Sequence, residues 1–245
     1  MASKNKLARF NEMKSFDNVY EPEMEDVKTG SFHMQGKWAR EHFGNDNPIV
    51  LELGCGKGEY TIGLAKKYPN KNYIGIDIKG ARIWKGSKQG VTEGIRNAAF
   101  IRTKIDFITH FFSKDEVSEI WCTFSDPQPK KSNKRLTSKV FINRYLHFLK
   151  PDGIVHLKTD SDLLFASTEE EIHCNNYKEL FRTWDLYGEA IQGMDADTSE
   201  IMNIRTFYEQ RWLDEGKKIK YVKFIPWTEE LILDKFLMQK VSKEG

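Results

Sequence analysis

The stretch Ile49-Val-Leu-Glu-Leu-Gly-Cys-Gly-Lys-Gly-Glu-Tyr60 decides how the rest of the chain is read. IVLEL (49–53) is a strand-like run that ends at Gly54, the pattern turns helical from Tyr60 to Tyr68, and YIGIDI (73–78) is strand-like again. Strand, helix and strand within about 30 residues make a βαβ unit. Glycines let a backbone approach a ligand closely, and Asp77 closes the second strand where a carboxylate can accept from two ribose hydroxyls. The spacing from Gly54 through Gly56 to Gly58 is G-x-G-x-G, unlike the G-x-G-x-x-G of dinucleotide binders. Glu52, inside the first strand, suits an ammonium better than a pyrophosphate. A tight turn beside a solvated Asp77 would explain the glycines alone; Glu52 and Asp77 together favour a nucleoside-bearing ligand.

Outward from this unit the alternation persists. A helical stretch spans about Arg82–Ile95, a short strand lies near Ala99–Arg102, and Ile120–Phe124 is an apolar, β-favouring run. Val140, Phe141, Arg144, Tyr145, Phe148 and Leu149 recur at helical spacing, residues 150–153 (KPDG) turn the chain, GIVHLKT (153–159) is a strand, and IKYVKFI (219–225) supplies a last one. The pattern predicts an α/β fold: a doubly wound, mainly parallel, seven-stranded sheet with helices on both faces. Gly86, Gly90 and Gly94, four residues apart, would let one helix lie close to the sheet. Residues 1–36 carry few apolar groups and read as a partly flexible N-terminal arm, leaving residues 37–245 as one domain.

The 38 basic and 36 acidic residues nearly cancel, so local clusters matter more than the net charge of +2. Cys55, Cys122 and Cys174 are odd in number and far apart, which argues against a disulfide framework or a zinc site. The six histidines show no metal-ligand spacing, and no metal is expected. The start MASKNKLARF lacks an apolar segment, and no window approaches the roughly 20 apolar residues of a membrane span. A cytoplasmic protein that does not engage the membrane is expected.

TFSDPQPKKSNKRL (123–136) holds the second cluster. Pro127 and Pro129 fix φ and remove two backbone donors, so the segment is a loop with a rigid start. Asp126 sits where the preceding strand emerges. Lys130, Lys131, Lys134 and Arg135 follow, and such a cluster is either a solvated face or a track for nucleic-acid phosphates. Asp160 ends the 153–159 strand at the edge where open α/β sheets bind ligands; it either faces a substrate or caps the next helix.

These residues resemble class I S-adenosylmethionine-dependent methyltransferases, and more closely the bacterial tRNA (guanine-N7) methyltransferase family. The resemblance rests on Gly36-Lys37-Trp38, FGNDNPI (43–49), LELGCGKG (51–58), YIGID (73–77), SDPQPKK (125–131), HLKTD (156–160) and the Thr206-x-Tyr208-Glu209 pattern, and spans about residues 36–225. It implies a Rossmann-like methyltransferase fold, S-adenosylmethionine as cofactor and tRNA as partner, with methylation of guanine N7 at position 46 in the variable loop. Glu52, Gly54, Gly56, Asp77, Lys104, Asp106 and Asp126 would hold the cofactor. Asp126 would act in catalysis, and Lys130, Lys131, Lys134, Arg135, Asp160, Thr206, Tyr208 and Glu209 would bind the substrate. Thr206 and Glu209 enter by resemblance alone, since T-x-x-E is also a helix-capping box. This chain departs from the family pattern at Gln128, where the family has tryptophan, at Lys104, where it has an acid, at Phe207, where an acid is missing, and in a basic loop two residues shorter. A methyltransferase for a small molecule or protein, a non-catalytic RNA-binding module on the same fold, and a nucleotide-dependent oxidoreductase are the alternatives.

Overall fold

A computed structural model describes residues 2–228 and 231; residues 229, 230 and 232–245, the tail of the expected 37–245 domain, lie outside the described residues. Along the chain run α1 (Ala2–Met13), β1 (Val19–Tyr20), α2 (Met24–Thr29), β2 (Ile49–Leu53), α3 (Glu59–Lys67), β3 (Asn72–Asp77), α4 (Gly80–Thr92), β4 (Ala98–Arg102), β5 (Val117–Thr123) and α5 (Lys139–Tyr145). Then come β6 (Leu149–Thr159), α6 (Asp162–Cys174), β7 (Lys178–Thr183), α7 (Ala196–Met202), α8 (Phe207–Asp214) and β8 (Lys220–Ile225).

Among the described residues the strands make one sheet in the order β1-β4-β3-β2-β5-β6-β8-β7. Every pairing is parallel except those of β8, which runs antiparallel to both β6 and β7. The expected doubly wound, mainly parallel sheet is present, with eight strands where seven were expected. Two edge strands lay outside the sequence reading: β1 is two residues long, and β7, KELFRT, is mostly charged or exposed.

Alternation along β2 explains the layers. Ile49, Leu51 and Leu53 belong to one apolar cluster and Val50 to the other, because successive side chains point to opposite faces. The first cluster includes Phe141 and Ile142 of α5 and Leu164 and Phe165 of α6; the second includes Ile62 and Leu64 of α3 and Ile83 of α4. With helices on both faces, β2 is buried at all five positions, as a central parallel strand must be. The turn expected at residues 150–153 is a bulge within β6: Val117 pairs with Leu149, but Glu119 pairs with Ile154.

Candidate active site

The winding of the sheet reverses between β2 and β5, and open α/β sheets bind ligands beyond the strand carboxyl ends at such a point. Two cavities of about 440 and 620 Å³ lie there and share Gly54, Asp77, Ile78, Gln128 and Leu136 in their walls, so they form one crevice. Lys104, Asp106 and Phe141 line only the smaller part, whereas Asp126, Asp160 and Tyr208 line only the larger.

The turn between β2 and α3 holds Gly54, Gly56 and Gly58 at φ of +75°, +55° and +70°, a region that favours glycine. A Cβ on Gly54 would meet nothing within 4 Å, so the turn is open to the crevice. On the far side, a Cβ on Gly86 would lie 2.6 Å from the Lys57 carbonyl and 2.9 Å from the Phe100 ring. Gly86 therefore lets α4 press against both the glycine turn and β4. Gly90 abuts Asn18 instead, and Gly94, at φ +67°, lies past the helix end.

Asp77 fixes the turn from β3: Oδ2 accepts from the Gly56 N–H at 3.0 Å and Oδ1 from the Lys79 N–H at 2.7 Å. Each oxygen keeps a lone pair for a further donor. Glu52, expected to meet the cofactor, is 4% exposed and lies beneath the turn, absent from the walls of either cavity. Its Oε2 accepts from the Thr61 N–H at 2.8 Å and the Thr61 hydroxyl at 2.5 Å, and its Oε1 accepts from the Thr123 hydroxyl at 2.8 Å. Because Gly58, the N-cap of α3, offers no side chain, Glu52 caps that helix from the neighbouring strand and ties it to β5. Burial raises its carboxyl to about 7, against the opposing pull of the Thr61 and Thr123 hydrogen bonds.

Asp126 is exposed at the larger cavity, and its Oδ1 accepts from the Gln128 N–H at 3.1 Å. Phe124 and Gln128, at φ of +50° and +47°, bend the loop sharply around it; left-handed non-glycine residues cost energy and gather at functional sites. Among the four basic residues, Lys130 and Lys131 are exposed and Lys131 reaches the smaller cavity. Lys134 Nζ is paired with Asp106 Oδ1 at 2.6 Å, and Arg144 stands 3.7 Å from the same oxygen. Both charges hold the Asp106 carboxyl below the usual range, the hydrogen bond from Lys134 most of all. Arg135 is buried: Nε donates to the Pro127 carbonyl at 3.0 Å and a terminal nitrogen donates to Ser167 Oγ at 2.7 Å. It braces the loop from within and does not extend the phosphate track expected of it.

At the end of β6, Ser161 and not Asp160 caps α6, accepting from the Leu164 N–H at 3.2 Å. Asp160 is left at the crevice with Lys217 at 3.8 Å. Thr206 and Glu209, expected to bind substrate, form a reciprocal capping box at the start of α8, and Glu209 is fully buried. Tyr208 does face the crevice, its hydroxyl accepting from Arg82 at 3.2 Å.

Sequence reasoning missed Ser125, Arg82 and Lys158. Ser125 Oγ is buried without a hydrogen-bond partner beside Asp126, within the larger cavity wall. Its only signal was adjacency to Asp126. Arg82 sat unremarked in a helical run, and Lys158 was hidden inside a strand.

The crevice suits a nucleoside-bearing methyl donor. An open glycine turn, a pinned acid with free lone pairs, an unsatisfied buried hydroxyl and the apolar Ile78, Ile105, Leu136 and Phe141 surround one space. Sheet order and site together define a Rossmann-like, S-adenosylmethionine-dependent methyltransferase. Solved neighbours agree on the fold: a 16S rRNA (adenine(1408)-N(1))-methyltransferase from Catenulisporales acidiphilia (TM-score 0.56, 11% identity, 79% of this chain and 92% of that one), and the 16S rRNA methyltransferase KamB (TM-score 0.55, 11% identity, 79% and 94%). A family model described as putative methyltransferase matches residues 46–222. A tRNA (guanine-N(7)-)-methyltransferase from Bacteroides thetaiotaomicron is 52% identical over 90% of this chain and 85% of its own length. One from Christiangramia forsetii is 49% identical over 91% and 99%. The chain belongs to the tRNA (guanine-N7) methyltransferase family.

Proposed function

We propose that this protein transfers a methyl group from S-adenosylmethionine to N7 of a guanine in tRNA, at position 46 of the variable loop. The observation that carries the reading is Asp126: its carboxylate, held on one side by Gln128, opens on the crevice that Gly54 and Asp77 also line, with exposed Lys130 and Lys131 close by in the chain. When bound, S-adenosylmethionine supplies an electrophilic methyl group on a sulfonium. N7 of guanine has a free lone pair and no proton, so no side chain has to act as a base. What the residues must do is position and balance charge.

Gly54, Gly56 and Asp77 would hold the donor, with Asp77 accepting from ribose hydroxyls. Ile105, Leu136 and Phe141 offer an apolar wall for a flat base, and the Ser125 hydroxyl, in the wall of the larger cavity, would find its missing partner in a bound ligand. Asp126 would orient the guanine through its exocyclic amine and offset the positive charge that the base gains on methylation. Asp160, freed from capping by Ser161, is a second carboxylate at the same cavity. Lys130 and Lys131 would hold flanking phosphates, which position a nucleic acid without reading its sequence. A cytoplasmic location, where tRNA resides and the free cysteines stay reduced, accompanies the reading.

Incubation with methyl-labelled S-adenosylmethionine and unmodified tRNA, followed by nucleoside analysis, tests it. Labelled 7-methylguanosine is expected. Transfer to another nucleoside, or to small molecules or protein but not to tRNA, would overturn it.

A further inference from the structure

Beneath the rim of the crevice lies a charged pair with no part in the chemistry above. Lys158 of β6 and Glu209 of α8 are both fully buried, with Nζ 2.6 Å from Oε1. The Tyr60 hydroxyl at 3.1 Å, the Tyr187 hydroxyl at 3.0 Å and the Met202 carbonyl at 2.7 Å also surround the ammonium, whose three N–H bonds are shared among these and the carboxylate. Tyr187 lies 2.6 Å from Glu209 Oε1, and Glu209 Oε2 accepts from the Thr206 N–H at 3.3 Å. Buried charges are tolerated only when paired and hydrogen-bonded throughout, and removing one partner strands the other in a medium that cannot solvate it.

The pair sits at a junction of the crevice walls. Tyr60 belongs to the helix that leaves the glycine turn. Lys158 precedes the crevice acid Asp160 by two residues, and Glu209 follows the crevice residue Tyr208 by one. Trp212, one turn further along α8, lines the same cavity. A side chain with no exposure and this set of internal partners is not placed to touch a nucleotide. Resting on the tRNA reading above, we infer that Lys158 and Glu209 are positioning residues. They lock α8 to β6 and α3, and so hold Tyr208, with its partner Arg82, in the wall of the larger cavity.

Three variants separate positioning from direct substrate contact: Lys158→Met, Glu209→Gln, and the two combined. Lys158→Met leaves a bare buried carboxylate. Adding Glu209→Gln removes that charge while keeping an acceptor in the capping box, where glutamine serves as well as glutamate. Lys158→Met should raise the KM for tRNA by about tenfold or more, the scale of a 1.4 kcal/mol displacement. kcat at saturation and the Kd for S-adenosylmethionine, read by calorimetry, should stay near wild type. The double variant should recover most of the lost KM, since residues that act as one unit are non-additive. If Glu209 were a substrate ligand, Glu209→Gln and the double variant would be equally impaired while Lys158→Met stayed mild, and that pattern would overturn the inference. So would a KM unchanged in all three. Should Lys158→Met fail to fold, the Glu209→Gln and double-variant comparison still decides, because a ligand role predicts no recovery. Failure of the wild-type protein to methylate guanine N7 would count against the tRNA reading, not against the lock, which thermal melting of the same variants would still report: Lys158→Met should melt lower than wild type and the double variant should regain part of that loss.

Discussion

Glu52 stands under the glycine turn as a helix cap whose carboxyl burial lifts to about 7, from 4.5 for the free group. Between these two values the folded protein binds more protons than the unfolded chain, so stability falls as pH rises. The contribution is complete below about 4.5 and is lost as pH climbs through about 7; the difference of 2.5 units corresponds to something on the order of 3 kcal/mol. Glu52→Gln should therefore flatten the pH dependence of stability over this window, measured by denaturant unfolding at several pH values; an unchanged slope would show that another group titrates there. Asp126 predicts a different behaviour. Asp126→Asn keeps the loop shape and an acceptor for the Gln128 N–H, but removes the charge. Losing one preorganised electrostatic group commonly costs about 10²–10³ in rate, so single-turnover methylation at saturating tRNA and cofactor should drop by that order while both ligands still bind. A wild-type rate would mean that the acid only braces the turn between Pro127 and Pro129.

The basic loop is where structure divides residues that look alike in sequence. Lys130 and Lys131 are exposed, Lys134 is tied to Asp106, and Arg135 is turned inward onto Pro127 and Ser167. Replacing Lys130 and Lys131 with alanine should reduce the log–log salt slope of tRNA binding by roughly 0.7–0.9 per lost phosphate contact. Arg135→Ala should leave that slope alone and instead lower stability by about 1–3 kcal/mol, as a broken set of buried hydrogen bonds does; tRNA binding across a salt series and thermal melting of both proteins make the comparison. The central elements were legible because β2 and β3 are buried on both faces and are therefore mostly apolar, the exceptions Glu52, Asn72 and Asp77 being hydrogen-bonded. β7 was not, because an exposed edge strand carries no hydrophobic pattern to read. The crevice acids Asp77, Asp126 and Asp160 could be foreseen from their positions at strand ends. That Glu52 is a cap could not, since one of its partners, Thr123, lies 71 positions away along the chain; for Glu209 the T-x-x-E spacing offered the capping box, but not the pairing with Lys158, 51 positions away.

Across the whole molecule, the segment before residue 37 is more closely integrated than its composition suggests. Met13 is buried, Glu12 accepts from Trp84 Nε1 and pairs with Lys88 of α4, and β1 extends the sheet beside β4. The few apolar residues there are well used: Phe32 and Met34 join one apolar cluster and Met13 the other, while polar groups of α1 and the edge strand add the remaining contacts. The crevice so framed has two unlike rims, the exposed Lys131 at its smaller part and Arg82 with Tyr208 at its larger part. A substrate that places one guanine at Asp126 while its backbone passes these rims is the central claim. Mapping the labelled methyl group along an unmodified tRNA, beside the same tRNA with guanine 46 replaced by adenine, tests it most directly. The account predicts label at N7 of guanine 46 in the first and almost none in the second; equal labelling of both would contradict it.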